Sequence, residues 1–272
     1  MPARDIDAAD LSLIESTVRE AGKIARHYFG GEYKRWSKSK GEPVTEADLA
    51  IDKFLRLKLG EARDAYGWLS EETGADAERA GAARVFIVDP IDGTTAFLKE
   101  KPHFSISVAV VERGEPVAGV VYNPITEECF VAASGGGASL NGTPVHVSAC
   151  TAVAGCRMLG AKDVFANPAW TKPPNMPWPE MLIETRSSIA YRMALVANGQ
   201  FDAALVLAPK HDWDMAAGDL IVREAGGFVT AHDGTRLRYD GAAAIQRSMV
   251  CAGPGLRTEL IGRLGHIDLS KR

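Results

Sequence analysis

The run Val88-Asp89-Pro90-Ile91-Asp92-Gly93-Thr94-Thr95-Ala96-Phe97 carries both a structural and a chemical signal. Just before it, Val85-Phe86-Ile87-Val88 is rich in β-branched residues and apolar throughout, which predicts a short strand covered on both faces. Pro90 has no N–H to give a sheet ladder, so the strand is expected to end at Asp89. Gly93, Thr94 and Thr95 then open a predicted helix through Leu98. A strand-to-helix junction gathers carboxylates at the strand's end and offers unpaired backbone N–H groups to an anion such as phosphate. Glycine at position 93 lets the chain approach that anion closely.

Asp89 and Asp92 need a counter-charge if both are to stay ionised. Two like charges at about 4 Å repel by roughly 4 kcal/mol at an effective dielectric near 20. Protonating one or binding cations removes the conflict, and oxygen-only ligands beside a phosphate favour Mg²⁺ over zinc or copper. Taken alone, the run also reads as an Asp-Pro-x-Asp-Gly turn whose aspartates cap the next helix. Two distant segments bear on the choice. Trp68-Leu69-Ser70-Glu71-Glu72-Thr73 places two glutamates after an apolar pair, which elsewhere would be a solvated surface pair. Trp213-Asp214-Met215-Ala216-Ala217-Gly218 puts Asp214 at a predicted helix start behind a large aromatic, where it also reads as an N-cap.

Around these segments the pattern is α+β. Leu11, Ile14, Val18, Ala21, Ala25 and Tyr28 recur at helical spacing over residues 10–29, and Gly30-Gly31 stops the helix. Thr45-Glu46-Ala47-Asp48 spells a capping box after Pro43, so a second helix begins at Thr45. Residues 105–147 read as a β-meander with turns at Arg113-Gly114-Glu115, Asn123-Pro124, Gly135-Gly136-Gly137 and Asn141-Gly142. Beyond residue 150, strands near 158–159, 203–207 and 248–251 alternate with helices at 188–197, 214–225 and 256–264, and 173–179 is a proline-rich loop. This pattern predicts one α+β domain over 1–272, built from interlocked halves 1–150 and 151–272, which the motifs below make a single catalytic domain.

Composition bounds the function. The 272 residues are 46% hydrophobic and 24% charged, with 31 Lys plus Arg against 35 Asp plus Glu and a net charge of −4. The missing basic excess argues against a nucleic-acid polymer as partner. Met1-Pro-Ala-Arg-Asp-Ile-Asp-Ala-Ala-Asp10 has acids where a secretory signal needs an apolar core, and no apolar run approaches the roughly 20 residues of a membrane span. The four cysteines form no Cys-x-x-Cys pair and read as reduced and buried. A soluble, cytoplasmic protein without a membrane partner is expected.

Ser70-Glu71-Glu72, Asp89-Pro-Ile-Asp-Gly-Thr-Thr95 and Trp213-Asp-Met-Ala-Ala-Gly218 together resemble the three signature motifs of the inositol monophosphatase superfamily, in its order and spacing. Pro43-Val-Thr-Glu-Ala-Asp48 and Glu224-Ala-Gly-Gly227 match as well, so the resemblance spans nearly the whole chain. It implies a five-layered αβαβα fold and Mg²⁺-dependent hydrolysis of a small-molecule phosphomonoester, commonly lithium-inhibited and often by a homodimer. It implies two to three Mg²⁺ ions. Glu71, Asp89 and the Ile91 carbonyl would hold the first; Asp89, Asp92 and Asp214 the second; Glu71 and waters a third. Thr94, paired with Asp48, would position and help deprotonate the attacking water, while the N–H groups of Gly93 and Thr94 grip the phosphate. Lys38 stands where related enzymes often carry a lysine facing the metal-phosphate region.

Two metals about 3.5–4 Å apart activate a water on one side and stabilise the leaving oxygen on the other, so no covalent intermediate is required. Asp92-Gly-Thr-Thr95 also resembles the haloacid dehalogenase phosphatases, but there the first aspartate stands two residues before the second rather than three. A catalytically idle, regulatory member of the fold is the reading from another class; such proteins lose a metal ligand, and here every expected carboxylate is present. For the substrate, inositol-preferring enzymes carry an acid seven positions before the last-motif aspartate, where this chain has Leu207. Lys210 and His211 suit a second anionic group instead. Trp68-Leu-Ser-Glu-Glu72 resembles the 3′(2′),5′-bisphosphate nucleotidases, whereas Thr95-Ala-Phe97 is nearer the inositol form. The sequence therefore favours a bisphosphate nucleotide such as 3′-phosphoadenosine 5′-phosphate, ahead of inositol 1-phosphate and of histidinol or sugar phosphates.

Overall fold

Ile14, Val18, Ala21 and Ala25 repeat every three or four residues and all lie on the buried side of helix α1 (Asp5–Tyr28). The computed structural model describes residues 3–37, 43–75, 81–166 and 177–269. Helix α1 starts near residue 5 rather than 10, because its first turns bury Asp7 and Asp10, which no apolar pattern reveals. Gly30, at φ 75°, takes the left-handed turn that ends it. Helix α2 (Glu46–Ala62) begins as its capping box predicts: Thr45 Oγ1 accepts from the backbone of Ala47 and Asp48, and Asp48 Oδ2 accepts from Thr45 N at 2.8 Å.

A hairpin, β1 (Arg35–Ser37) and β2 (Pro43–Thr45), precedes α2. The meander then belongs to a larger sheet. Its strands are β3 (Gly67–Ser70), β4 (Gly74–Ala75), β5 (Arg84–Asp92), β6 (Ser105–Glu112), β7 (Glu115–Asn123), β8 (Glu128–Ala133), β9 (Ala138–Leu140) and β10 (Thr143–Pro144). They run in the order β10-β9-β8-β7-β6-β5-β3-β4, with β3 and β5 parallel. The five-stranded second sheet has the order β12-β11-β13-β17-β15, from β11 (Arg157–Leu159), β12 (Leu182–Glu184), β13 (Ala203–Val206), β15 (Phe228–Thr230) and β17 (Met249–Ala252). A short pair, β14 (Lys210–His211) with β16 (Ile245–Gln246), stands apart. The other helices are α3 (Thr94–Leu98), α4 (Lys162–Ala166), α5 (Ile189–Ala197), α6 (Ala216–Glu224) and α7 (Arg257–Leu264).

Strand periodicity sorts these elements into layers. Phe86 and Val88 of β5 face α1 and α2, packing with Ile14, Val18, Ile51 and Leu55. Ile87 between them faces the other way, into a core with Met193 of α5, Ala217 and Ile221 of α6, and Ala204, Met249 and Cys251 of the second sheet. Leu205, Val250 and Ala252 point out of that sheet's far side onto Leu260 and Leu264 of α7. Helix, sheet, helix, sheet, helix: the fold is the five-layered αβαβα sandwich.

Contrary to the expectation from Pro90, β5 does not end at Asp89; pairing with β6 resumes at Asp92, opposite Ser105. Asp89 pairs with Ser107, so Pro90 and Ile91 together oppose the single residue Ile106. Proline is tolerated because it sits in this bulge, where no ladder bond is asked of it. The predicted turns are present: Arg113 and Gly114, like Asn141 and Gly142, both have positive φ, as two-residue hairpin loops require. Gly135 and Gly137 donate their N–H groups to the Glu224 carboxylate, which fixes that glycine loop against α6. Cys129, Cys156 and Cys251 are buried free thiols, as expected, while Cys150 is half-buried. Residues 173–176 of the proline-rich loop lie outside the described residues. No helix among the described residues is long and apolar enough to cross a membrane.

The buried acids of α1 meet Arg84 at the start of β5. Its guanidinium, 4% exposed, bonds Asp7 at 2.7 Å and Asp10 at 2.6 Å and reaches Glu112 at 3.2 Å. Asp10 also receives Arg63 and the Tyr66 hydroxyl. Removing one partner from such a buried network strands the others, at a cost of about 3–5 kcal/mol. Arg84→Met is accordingly expected to lower the thermal midpoint by about 8–15 °C, by the usual conversion for a chain of this size. A calorimetric shift below about 3 °C would show that the latch contributes little.

Candidate active site

On a regular strand, residues three apart project to opposite faces. The extra residue in the β5 bulge restores the parity, so Asp89 and Asp92 open onto one cavity of about 750 Å³. Gly93 follows at φ 95°, and a side chain there would meet Ser188 N at 2.9 Å and His103 O at 3.1 Å. Only glycine fits this turn.

Asp214 reaches the same cavity from the other half of the chain. It ends a 3₁₀ turn, Asp212–Asp214, two residues before α6 rather than at that helix's start. Its Oδ2 accepts from His211 N at 2.8 Å, and the His211 and Trp213 rings stack at 4.2 Å and line the wall. Ligand oxygens of Asp89, Asp92 and Asp214 all lie within 4.8 Å of one another. Glu71 also lines the cavity, from the turn after β3, although it stands outside that tight group of three. The Ile91 carbonyl accepts from Thr94 Oγ1 at 3.1 Å, and the same hydroxyl lies 3.4 Å from Asp48 Oδ1. Helix α2 thus delivers Asp48 as a cap for its own first turn and as a partner for Thr94.

The electrostatics of this cluster are unfavourable without a cation. Burial first, then the charges of Glu71, Asp92 and Asp214, hold the Asp89 carboxyl well above the usual carboxylate range. Asp92 is pushed up to about 7, by burial and then by Asp214, against hydrogen bonds from Ser188 and Ala190 and the charge of Lys210. Asp214 rises to about 6, mainly by burial, with Lys210 pulling it down. Asp48 rises to about 7 because burial outweighs its bonds from Thr45, and Glu72 and Glu71 add to the rise. Carboxylates massed in a water-poor pocket, all oxygen donors, match the preference of a hard divalent cation such as Mg²⁺. The residues present fit the metal that the motifs imply.

Most residues expected here converge: Glu71, Asp89, Ile91, Asp92, Gly93, Thr94, Lys210 and Asp214 all line the cavity. Asp48 reaches it through Thr94, and Lys38 lies outside the described residues. Five participants were not foreseen. Ser188, the N-cap of α5, donates to Asp92 Oδ2 at 2.6 Å, and Ala190 N donates to the same oxygen at 2.7 Å. Asp92 thereby ties the first half of the chain to the start of α5. Asp52, buried on α2, takes the Ser70 hydroxyl, and Ser70 in turn accepts from Glu72 N, steadying the turn that carries Glu71. Arg186 and Arg192 bring two further cations to the wall. The Ser188 cap was legible in sequence; the other contacts join segments too far apart for any pattern to connect.

Known proteins resemble this chain over most of its length. The model of the inositol monophosphatase family, whose members are metal-dependent, matches residues 8–266. An inositol-1-monophosphatase of Rhizobium meliloti (strain 1021) is 35% identical over 247 residues, covering 84% of this chain and 87% of its own length. A histidinol-phosphatase of Chlorobaculum parvum (strain DSM 263 / NCIMB 8327) is 31% identical over 265 residues, covering 94% and 97%. The crystal structure of the extragenic suppressor protein suhB from Bartonella henselae superposes with a TM-score of 0.80 at 30% identity, over 95% of this chain and 99% of that one. With its motifs, its layers and these relatives in agreement, the chain is a phosphoric monoester hydrolase belonging to the inositol monophosphatase family.

Proposed function

We propose that this enzyme is a Mg²⁺-dependent phosphatase for a small phosphomonoester that carries a second anionic group, foremost a 3′(2′),5′-bisphosphate nucleotide such as 3′-phosphoadenosine 5′-phosphate. Glu71, Asp89 and the Ile91 carbonyl would hold one ion, Asp89, Asp92 and Asp214 a second, and Glu71 a weaker third. When bound, the ions supply Lewis-acid activation of water and neutralise charge on the leaving oxygen. The chain's own part is positional. Thr94 orients the attacking water through its hydroxyl, and Asp48 stands behind it as a proton acceptor. The Gly93 and Thr94 N–H groups, freed by the left-handed turn, bind phosphate oxygens.

Lys210 is the observation that carries the substrate choice. It lines the cavity close enough to Asp92 and Asp214 to lower both carboxyls. The position that would hold a polyol-binding acid is Leu207, 2% exposed and packed in the outer core, not against the cavity. Beyond the four cluster carboxylates, no acid lines the pocket to receive ring hydroxyls, among the described residues. Inositol 1-phosphate remains the second reading, favoured by the name of the 35% identical relative. With saturating Mg²⁺, kcat/KM for 3′-phosphoadenosine 5′-phosphate is expected to exceed that for inositol 1-phosphate at least about tenfold, which is about 1.4 kcal/mol of differential transition-state binding. A hundredfold advantage for the inositol ester would reverse the order.

A further inference from the structure

Arg186 and Arg192 line the same cavity as the acids, and the hydrolytic chemistry assigns them no role. Arg192, in the first turns of α5, lines the cavity and is only 8% exposed. Its Nε donates to the Arg186 carbonyl at 2.6 Å, which fixes the plane of the guanidinium. Among the described residues, neither Nη makes a hydrogen bond or an ion pair. The carboxylate that most favours its charge is Asp92, yet Asp92 Oδ2 is already taken by Ser188 and Ala190. The neighbouring Arg186 is paired with Glu184 at 2.8 Å. The other acids on the wall are Glu71, Asp89 and Asp214, which the proposed function assigns to the metal ions. Arg192 is therefore a nearly buried, oriented guanidinium whose two-pronged end has no protein partner among the described residues. Such a fork matches the paired oxygens of a phosphate, and a buried cation is stable only when something supplies the opposite charge.

We infer that Arg192 grips a second phosphate on the substrate through its Nη fork, with Lys210 as the other cation of that subsite. The assignment rests on the bisphosphate reading above and deepens it by naming the side chain that holds the second phosphate. A merely electrostatic role, balancing Asp92, would instead affect all substrates alike.

The test uses two nucleotides with the same scissile group, adenosine 3′,5′-bisphosphate and adenosine 3′-monophosphate, which differ only in the second phosphate. The wild-type protein is expected to prefer the bisphosphate. In Arg192→Met the ratio of the two kcat/KM values falls at least about tenfold, chiefly through KM for the bisphosphate, and Arg192→Lys recovers part of it. A ratio unchanged in Arg192→Met overturns the assignment, and so does an equal loss on both nucleotides. A wild-type enzyme with no preference rejects the proposed substrate class and takes the Arg192 assignment with it. Thermal unfolding shows whether each variant folds; should Arg192→Met fail, Arg192→Gln and Arg192→Lys decide by the same ratio.

Discussion

Asp89→Asn is expected to lower kcat at least about 1000-fold while leaving the protein folded. Asp89 is fully enclosed by the cluster's charges, with Glu71, Asp92 and Asp214 all opposing its ionised form. An ion held between these groups would lose one of its charged ligands when the carboxylate becomes an amide, and interactions made directly at the reacting centre typically cost 10²–10³-fold or more when deleted. The fold, by contrast, loses little. The amide oxygen of the variant can still accept the bond that Ile91 N donates to Asp89 Oδ1 at 3.0 Å. The exchange also removes a carboxyl whose ionised form burial and its acidic neighbours disfavour. The metal-free variant should therefore unfold at or above the wild-type temperature, and its midpoint should no longer respond to Mg²⁺. Near-normal turnover in the purified variant would show that Asp89 is not a metal ligand.

The metal-free protein should lose stability as pH rises from about 5.5 to 8, the reverse of ordinary acid denaturation. Asp48 and Asp92 sit at about 7 and Asp214 at about 6, each raised from 3.8 mainly by burial. A carboxyl raised in the folded state keeps its proton there after the unfolded chain has released it. The folded form then binds more protons, so stability is full below about 4 and declines as pH climbs through 6 to 7. Glu112, Asp202 and Glu259, shifted downward by their arginine and backbone partners, act in the opposite sense but below this window. His103, lowered by burial and Arg186, opposes the trend as a single group against several. Mg²⁺ at a hundred times its dissociation constant adds about 2.7 kcal/mol, hence about 5–10 °C in the midpoint at pH 8. Calorimetry at pH 5.5 and 8, with and without Mg²⁺, checks both halves. A metal-free midpoint that climbs with pH, or one indifferent to Mg²⁺, would contradict the account of the cluster.

Local chemistry decided a good deal of this protein before any tertiary contact forms. The capping box at Thr45, the positive-φ pairs Arg113-Gly114 and Asn141-Gly142, and the helical spacing of Ile14 through Ala25 each depend on neighbours within a few residues. The carboxylate motifs were legible for the same reason: acids beside glycine, proline and apolar strands are locally anomalous.

What the linear pattern misjudged involved pairing across space. Pro90 argued for a strand's end, but the sheet absorbs it as a bulge, and the bulge is what turns Asp89 and Asp92 toward one cavity. Asp7 and Asp10 fall outside any apolar pattern, and their burial depends on Arg84 meeting them from another layer. Asp92 acquires Ser188 and Ala190, and the cavity acquires Arg192, only because α5 docks against the β5 bulge. Periodicity registers which side of an element is buried. It cannot register which charge waits on the opposite wall, because that depends on how whole layers stack.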